Sequence, residues 1–306
     1  MKHFLSVFCI FFSLALMPVG VVGTSTGVSA VIPVDVISVE MKPEVITKGA
    51  ACLFVVTSSE QVRTMTGKLF GKKVFFNPDS SRTKWYGLGG VSLDTKPGKY
   101  PLEVSALTSK GSRLNQRVLV KVVIAPIPKG GIRVADEFLH PNEERRQQSK
   151  TDAEFKRIAF GTETLDQLWK GSFKSPIGTE VISRFGRART FNGTAKRIHK
   201  GIDYRASEGT SIKATNSGRV ILAKSMFYDG NMVAIDHGQG LISMYLHLSR
   251  IKVKEGDLVK SGQEVGLSGK TGRASGPHLH FQVKWERIDI DPVRLISLEL
   301  PSNLSK

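Results

Sequence analysis

Ser275-Gly276-Pro277-His278-Leu279-His280-Phe281, continued by Gln282-Val283-Lys284-Trp285, reads as a turn running into a strand. Glycine and proline mark the turn, and the residues after it alternate with the period of two expected of a strand. Successive strand side chains point to opposite faces, so His278 and His280 share one face while Leu279 and Phe281 share the other. Two imidazoles therefore face one spot. Alone, such a pair reads as the solvated side of a half-buried strand; other residues of the chain give it a second meaning.

Around this stretch, from Phe173 onward, glycines punctuate short β-type runs such as 219–223, 232–236 and 241–248, which predicts a compact, tightly turned all-β domain over residues 173–296. Two segments within it share a rhythm: Gly209-Thr210-Ser211-Ile212 with Gly218-Arg219-Val220, and Gly256-Asp257-Leu258-Val259 with Gly262-Gln263-Glu264-Val265. They suggest an internal repeat. His199-Lys200-Gly201-Ile202-Asp203 sets a histidine and an aspartate four apart, on a loop entering a strand given Gly201 and the preceding Phe191-Asn192-Gly193-Thr194. Two imidazoles and one carboxylate with an open fourth position form a known catalytic zinc set. The only cysteines are Cys9 and Cys52, so no cysteine zinc site can form. In Ser243-Met244-Tyr245-Leu246-His247-Leu248-Ser249, strict alternation buries Met244, Leu246 and Leu248 and presents His247 with Tyr245 and Ser249 on the other face. His237, in Asp236-His237-Gly238-Gln239-Gly240, sits where a hairpin should turn and reads as structural.

His199-x3-Asp203, Tyr245-Leu246-His247-Leu248-Ser249 and Gly276-Pro277-His278-Leu279-His280-Phe281 resemble, in order, the three signatures of the LytM and lysostaphin-type zinc metallopeptidases, which cleave peptide bonds in bacterial peptidoglycan. The resemblance covers roughly residues 175–292 and implies the duplicated hybrid motif fold of a β-sheet metallopeptidase. Carried over residue by residue, it implies His199, Asp203 and His280 as ligands of one zinc ion, and His247 and His278 as catalytic histidines outside the ligand set. The basic loop Arg184, Arg187, Arg189, Lys196, Arg197 and Lys200 then offers cations to the free carboxylates of stem peptides, with Arg184, Arg187 and Lys200 as candidate substrate-binding residues; a solvated surface explains it equally well.

The chain has 306 residues and an apolar content of 40%, enough for two domains with cores. Lys2 and His3 precede an apolar run over 4–16, then come Pro18, Gly20 and Gly23, and Val28-Ser29-Ala30 offers a cleavage site, so residues 1–30 read as an export signal. An uncleaved membrane anchor is the rival reading, opposed by Pro18 and the glycines. The formal charge is +17, of which the leader supplies only Lys2. Outside the cytoplasm such an excess favours peptidoglycan, anionic envelope polymers or a membrane surface; no zinc-finger spacing or aromatic RNA-binding signature points to nucleic acid. The expected location is the periplasm or cell envelope.

Residues 31–126 are a succession of short β-type runs separated by turn residues, among them Asn77-Pro78-Asp79-Ser80, Gly87-Leu88-Gly89-Gly90 and Lys96-Pro97-Gly98, which predicts an immunoglobulin-like β-sandwich lacking the paired cysteines of antibody domains. Cys52 lies in an apolar run and should be buried. Pro126-Ile127-Pro128-Lys129-Gly130-Gly131 marks a break in sheet structure and opens a linker over 127–172. In that linker Thr151-Asp152-Ala153-Glu154 looks like a capping box for a short helix through Ile158, with a second short helix over 164–169 and His140 as a surface histidine. Residues 297–306 read as a tail. The fold class is thus mainly β, in the order β-sandwich, short helical linker and metallopeptidase-type β-sheet domain. Two rival functions remain at this level: a non-catalytic wall-binding or hydrolase-activating protein, and a lipoyl or biotinyl carrier suggested by the turns of 253–262. Lys270 is not flanked as a modified carrier lysine is.

Overall fold

The computed structural model describes residues 37–124, 129–193, 195–302 and 304. The expected leader lies outside these residues, as do Pro126, Ile127 and Pro128. No helix among the described residues is long and apolar enough to cross a membrane.

The N-terminal part is built from β1 (Ile37–Lys42), β2 (Ile46–Thr47), β3 (Ala51–Ser58), β4 (Val62–Leu69), β5 (Lys72–Pro78), β6 (Lys84–Gly90), β7 (Gly98–Thr108) and β8 (Arg113–Val123). They connect in the order β1-β3-β6-β5-β4-β7-β8-β2, antiparallel throughout except for β2 on β8. β5 divides its partners, its first half pairing β4 and its end pairing β6, which links two layers that enclose Phe54, Val56, Leu69, Val74 and Leu102. The expected turn Gly87-Leu88-Gly89-Gly90 is instead strand β6, in register with β3. A Cβ on Gly87 would come within 2.7 Å of the Phe76 ring, and one on Gly89 within 2.6 Å of the Phe54 ring. These glycines make room for aromatic rings and do not reverse the chain. Cys52 is fully buried, and burial pushes its thiol well above the ordinary range.

The linker differs from its expected form. Lys129-Gly130-Gly131-Ile132 does continue a sheet, as β9 (Lys129–Ile132). Both prolines precede it, so its amides are free to pair. After a short 3-10 turn (Asp136–Phe138), a single 17-residue helix, α1 (Glu143–Ala159), replaces the short helix expected from Thr151. Its cap is Asn142, whose side chain accepts from Arg145 N at 2.9 Å, so Thr151 lies mid-helix and its hydroxyl donates to Gln147 O. The helix expected over 164–169 does not form. His140 is exposed, 3.9 Å from Asp136.

The C-terminal part comprises β10 (Val181–Ser183), β11 (Ala188–Phe191), β12 (Ala195–Ile198), β13 (Ile202–Arg205), β14 (Ser211–Lys213), β15 (Gly218–Met226), β16 (Gly230–Asp236), β17 (Leu241–Leu248), β18 (Arg250–Ile251), β19 (Leu258–Val259), β20 (Glu264–Leu267), β21 (His278–Trp285) and β22 (Ile288–Ile290), closed by α2 (Pro292–Ile296). Its main antiparallel sheet runs β10-β13-β21-β17-β16-β15-β19, with β22 on β21. A second sheet orders β14-β20-β18, and a third orders β12-β11-β9, with β9 parallel to β11. The suggested repeat pairs crosswise: β14 of the first copy joins β20 of the second, and β15 of the first joins β19 of the second.

The two parts share one core cluster. A Cβ on Gly90 would meet Ile290 at 2.6 Å and Trp285 at 3.2 Å, and Asn77 exchanges two amide hydrogen bonds with Gln239, at 3.0 and 2.8 Å. In the expected tail, Leu298 and Leu300 are buried.

Candidate functional site

The register of the main sheet gathers the site. Asp203 on β13 lies opposite His280 on β21, and His280 lies opposite Leu246 on β17, so these three share one face. The other face carries Ile202, Phe281 and Tyr245, which pair in the same rows and are buried in the core. His199 enters from the loop before β13. Its Nε2 lies 3.1 Å from Asp203 Oδ1 and 3.0 Å from His280 Nδ1, and His280 Nδ1 is 2.9 Å from Asp203 Oδ1.

Strict alternation does not place His247. Tyr245, expected on its face, stacks on Phe281 with centroids 5.3 Å apart and accepts from Thr215 N, on the opposite side of the sheet. Between Asn231 and Val233 the register of β16 against β17 shifts, and His247 sits there at φ 62, in the left-handed region. A bulge of this kind re-aims one side chain. His247 consequently opens on the same groove as Leu246, its ring 5.0 Å from His278 and 6.0 Å from His280.

Hydrogen bonds to backbone carbonyls fix which ring nitrogen faces inward. His199 Nδ1 donates to Arg184 O at 3.0 Å, His247 Nδ1 to Thr271 O at 2.8 Å, and His278 Nδ1 to Gly276 O at 2.8 Å. Each leaves Nε2 as the unprotonated nitrogen. Burial pushes His199 down to about 4 and His247 to about 3, the latter aided by His278 and His280; burial also lowers His278. All three rings are thus neutral at pH 7. Burial raises the Asp203 carboxyl, but its close contacts with the His199 and His280 imidazoles outweigh this and hold it well below the usual carboxylate range. Its Oδ2 also receives Arg189 Nη2, which donates to Ser183 Oγ as well.

Gly201 allows this closeness. A Cβ there would come within 2.8 Å of His280 Nε2 and 2.4 Å of Phe281 O.

The site floors a groove of about 520 Å³. Of the three candidate substrate-binding cations, Arg187 and Lys200 line it and Arg184 does not. Arg187 reaches Lys129 O at 3.3 Å, and Lys200 pairs with Asp289 at 3.4 Å. The side chain of Lys196 lies outside the described residues. No described residue of 37–124 lines the groove, whereas Gly130 and Ile132 of the linker do. His237 is buried elsewhere, donating from Nδ1 to Ser217 O at 2.7 Å and accepting from Ser243 Oγ at 2.8 Å, as its structural reading requires. Sequence reasoning missed Thr271, Tyr228 and Arg273. Thr271 acts through its carbonyl, which any residue could supply.

The profile of peptidase family M23 matches residues 197–292. Over 122 residues the chain is 42% identical to peptidoglycan DD-endopeptidase ShyA of Vibrio cholerae, covering 39% of this chain and 28% of that protein. It is 40% identical over 135 residues to DD-carboxypeptidase/endopeptidase Mpg of Neisseria meningitidis, covering 44% and 30%. The chain therefore spans less than a third of the length of these curated relatives. A solved structure assigned to peptidase M23 from Pseudomonas aeruginosa superposes with a TM-score of 0.61 at 29% identity, covering 80% of this chain and 92% of that one. The residues that carry the His199, Asp203 and His280 cluster thus form a peptidase M23 domain within the chain.

Proposed function

We propose that the protein is an exported zinc metalloendopeptidase that hydrolyses peptide bonds in peptidoglycan cross-links or stem peptides, working in the periplasm or cell envelope. The observation that carries this reading is the convergence of His199, Asp203 and His280, whose donor atoms lie within 4.8 Å of one another on the floor of an open groove. Two imidazoles and one ionised carboxylate are a ligand set suited to zinc, and the bond from His199 Nδ1 to a carbonyl is the outer support such ligands carry. The names of the Vibrio and Neisseria relatives favour the D,D-bond of a cross-link as the target. Export rests on the leader read in residues 1–30 and on the basic charge.

When bound at these three residues, zinc supplies Lewis acidity to the scissile carbonyl and the attacking water. The remaining steps belong to His247 and His278. Each holds its proton on Nδ1 against a carbonyl and offers Nε2 as base, so either can take a proton from the attacking water. A ring protonated in this way can stabilise the developing oxyanion or deliver its proton to the leaving nitrogen. Asp203 stays ionised throughout.

His280→Ala should lose both bound zinc and hydrolysis, whereas His247→Ala should keep zinc and lose about 100- to 1,000-fold in turnover. Zinc content by atomic absorption and peptidoglycan fragments by mass spectrometry read the two effects. Normal hydrolysis by the His280 variant would refute the ligand assignment.

A further inference from the structure

Two residues beyond Thr271, whose carbonyl orients His247, Arg273 forms part of the groove wall. Its guanidinium carbon lies 4.8 Å from the centroid of the Phe191 ring and 4.6 Å from that of Tyr228. Its backbone is tied too, Arg273 N donating to Tyr228 O at 2.9 Å. Stacking on two aromatic rings fixes a guanidinium plane before any ligand arrives.

Among the other cations of the groove, Arg189 has Asp203, Arg187 has Lys129 O, and Lys200 has Asp289 as partners in the protein. Arg273 is different. Among the described residues no carboxylate lies within salt-bridge distance of it, and Asp229, whose charge acts on it, is paired with Lys156. Burial lowers its pKa, Tyr228 and Asp229 oppose that, and Arg197 and Arg189 add to it. A half-buried, pre-set cation beside other cations, on the wall of a groove, is a ready site for an anion. A planar fork of donors suits the two oxygens of a carboxylate.

The proposed substrate supplies one. In a D,D-cross-link to diaminopimelate, the carbon bearing the scissile nitrogen also bears a free carboxylate. We infer that Arg273, stacked between Phe191 and Tyr228, receives this carboxylate and makes the site selective for cross-links in which it is free. The inference rests on the proposed function for its substrate, while the subsite itself rests on the geometry of the groove.

The test uses the zinc-loaded full chain and two synthetic peptides with a D-alanyl bond to the D-centre of meso-diaminopimelate, one with the neighbouring carboxylate free and one with it as the primary amide. Affinity is read by calorimetry and turnover by mass. The wild type should prefer the acid about 10- to 100-fold in affinity, the range of one charge-assisted hydrogen-bonded pair. Arg273→Gln should bring the ratio to about 1 by weakening the acid alone, and Arg273→Lys should retain an intermediate preference. Equal affinity in the wild type, or an equal loss for both peptides in Arg273→Gln, would overturn the subsite and leave Arg273 a structural strut. Acid-selective binding without cleavage would refute the proposed hydrolysis and leave the subsite standing.

Discussion

Asp203 carries the only formal negative charge of the inner cluster, and three partners share it: His199, His280 and Arg189. Asp203→Asn keeps the shape and removes the charge. Competition with a chromophoric chelator should show zinc affinity falling by more than the roughly 10- to 100-fold typical of losing an outer partner; unchanged affinity would mean that the carboxylate is no ligand. His237 makes a separate case, because it is fully buried and burial pushes it from the ordinary 6.5 to about 4. The unfolded chain therefore binds its proton first, and the stability this ring confers is full above about pH 6.5 and lost as pH falls towards 4. Nitrogen NMR should find His237 neutral and Nδ1-protonated at pH 5; titration near 6.5 would contradict its buried role. At this scale the sequence was highly legible, since all five candidate histidines and aspartate of the site meet in one place. Arg189 was visible only as one cation among several, and neither its bond to Asp203 nor the stacking of Arg273 has a local pattern to announce it.

Among the elements, the β13–β21 pair brings the parts of the site together, and Gly201 is the residue that lets them close. No left-handed φ demands glycine there; the approach of the Phe281 carbonyl and the His280 ring does. Gly201→Ala should cost about 1–3 kcal/mol of stability through overpacking and should weaken zinc binding, read by urea midpoint and chelator competition together. An alanine variant with wild-type zinc affinity would show that the contact is soft. The period-two pattern placed His278 and His280 correctly because β21 is regular, and it failed for His247 because an extra residue enters β17. The same limit explains strand β6 and helix α1. Glycines that accommodate rings look like turn glycines, and an Asn cap nine residues upstream of Thr151 wins when the intervening residues are good helix formers.

For the whole molecule, the N-terminal sheet packs on Trp285, at the end of β21 away from its histidines, and on Ile290 of β22, and contributes no described residue to the groove. The expected β-sandwich and metallopeptidase-type sheet were legible as separate runs of strands, but their shared core was not, because its contacts join residues some 200 positions apart. Urea unfolding should show one cooperative transition by tryptophan fluorescence and by far-UV circular dichroism; two resolved transitions would mean that the halves fold independently. The most direct test of the central claim is digestion of purified peptidoglycan by the full chain, with and without a chelator, with the released fragments read by mass. The account predicts uncross-linked stem peptides that vanish with the chelator and return with added zinc. Metal-loaded protein that binds peptidoglycan yet releases nothing, or release indifferent to the chelator, would contradict it.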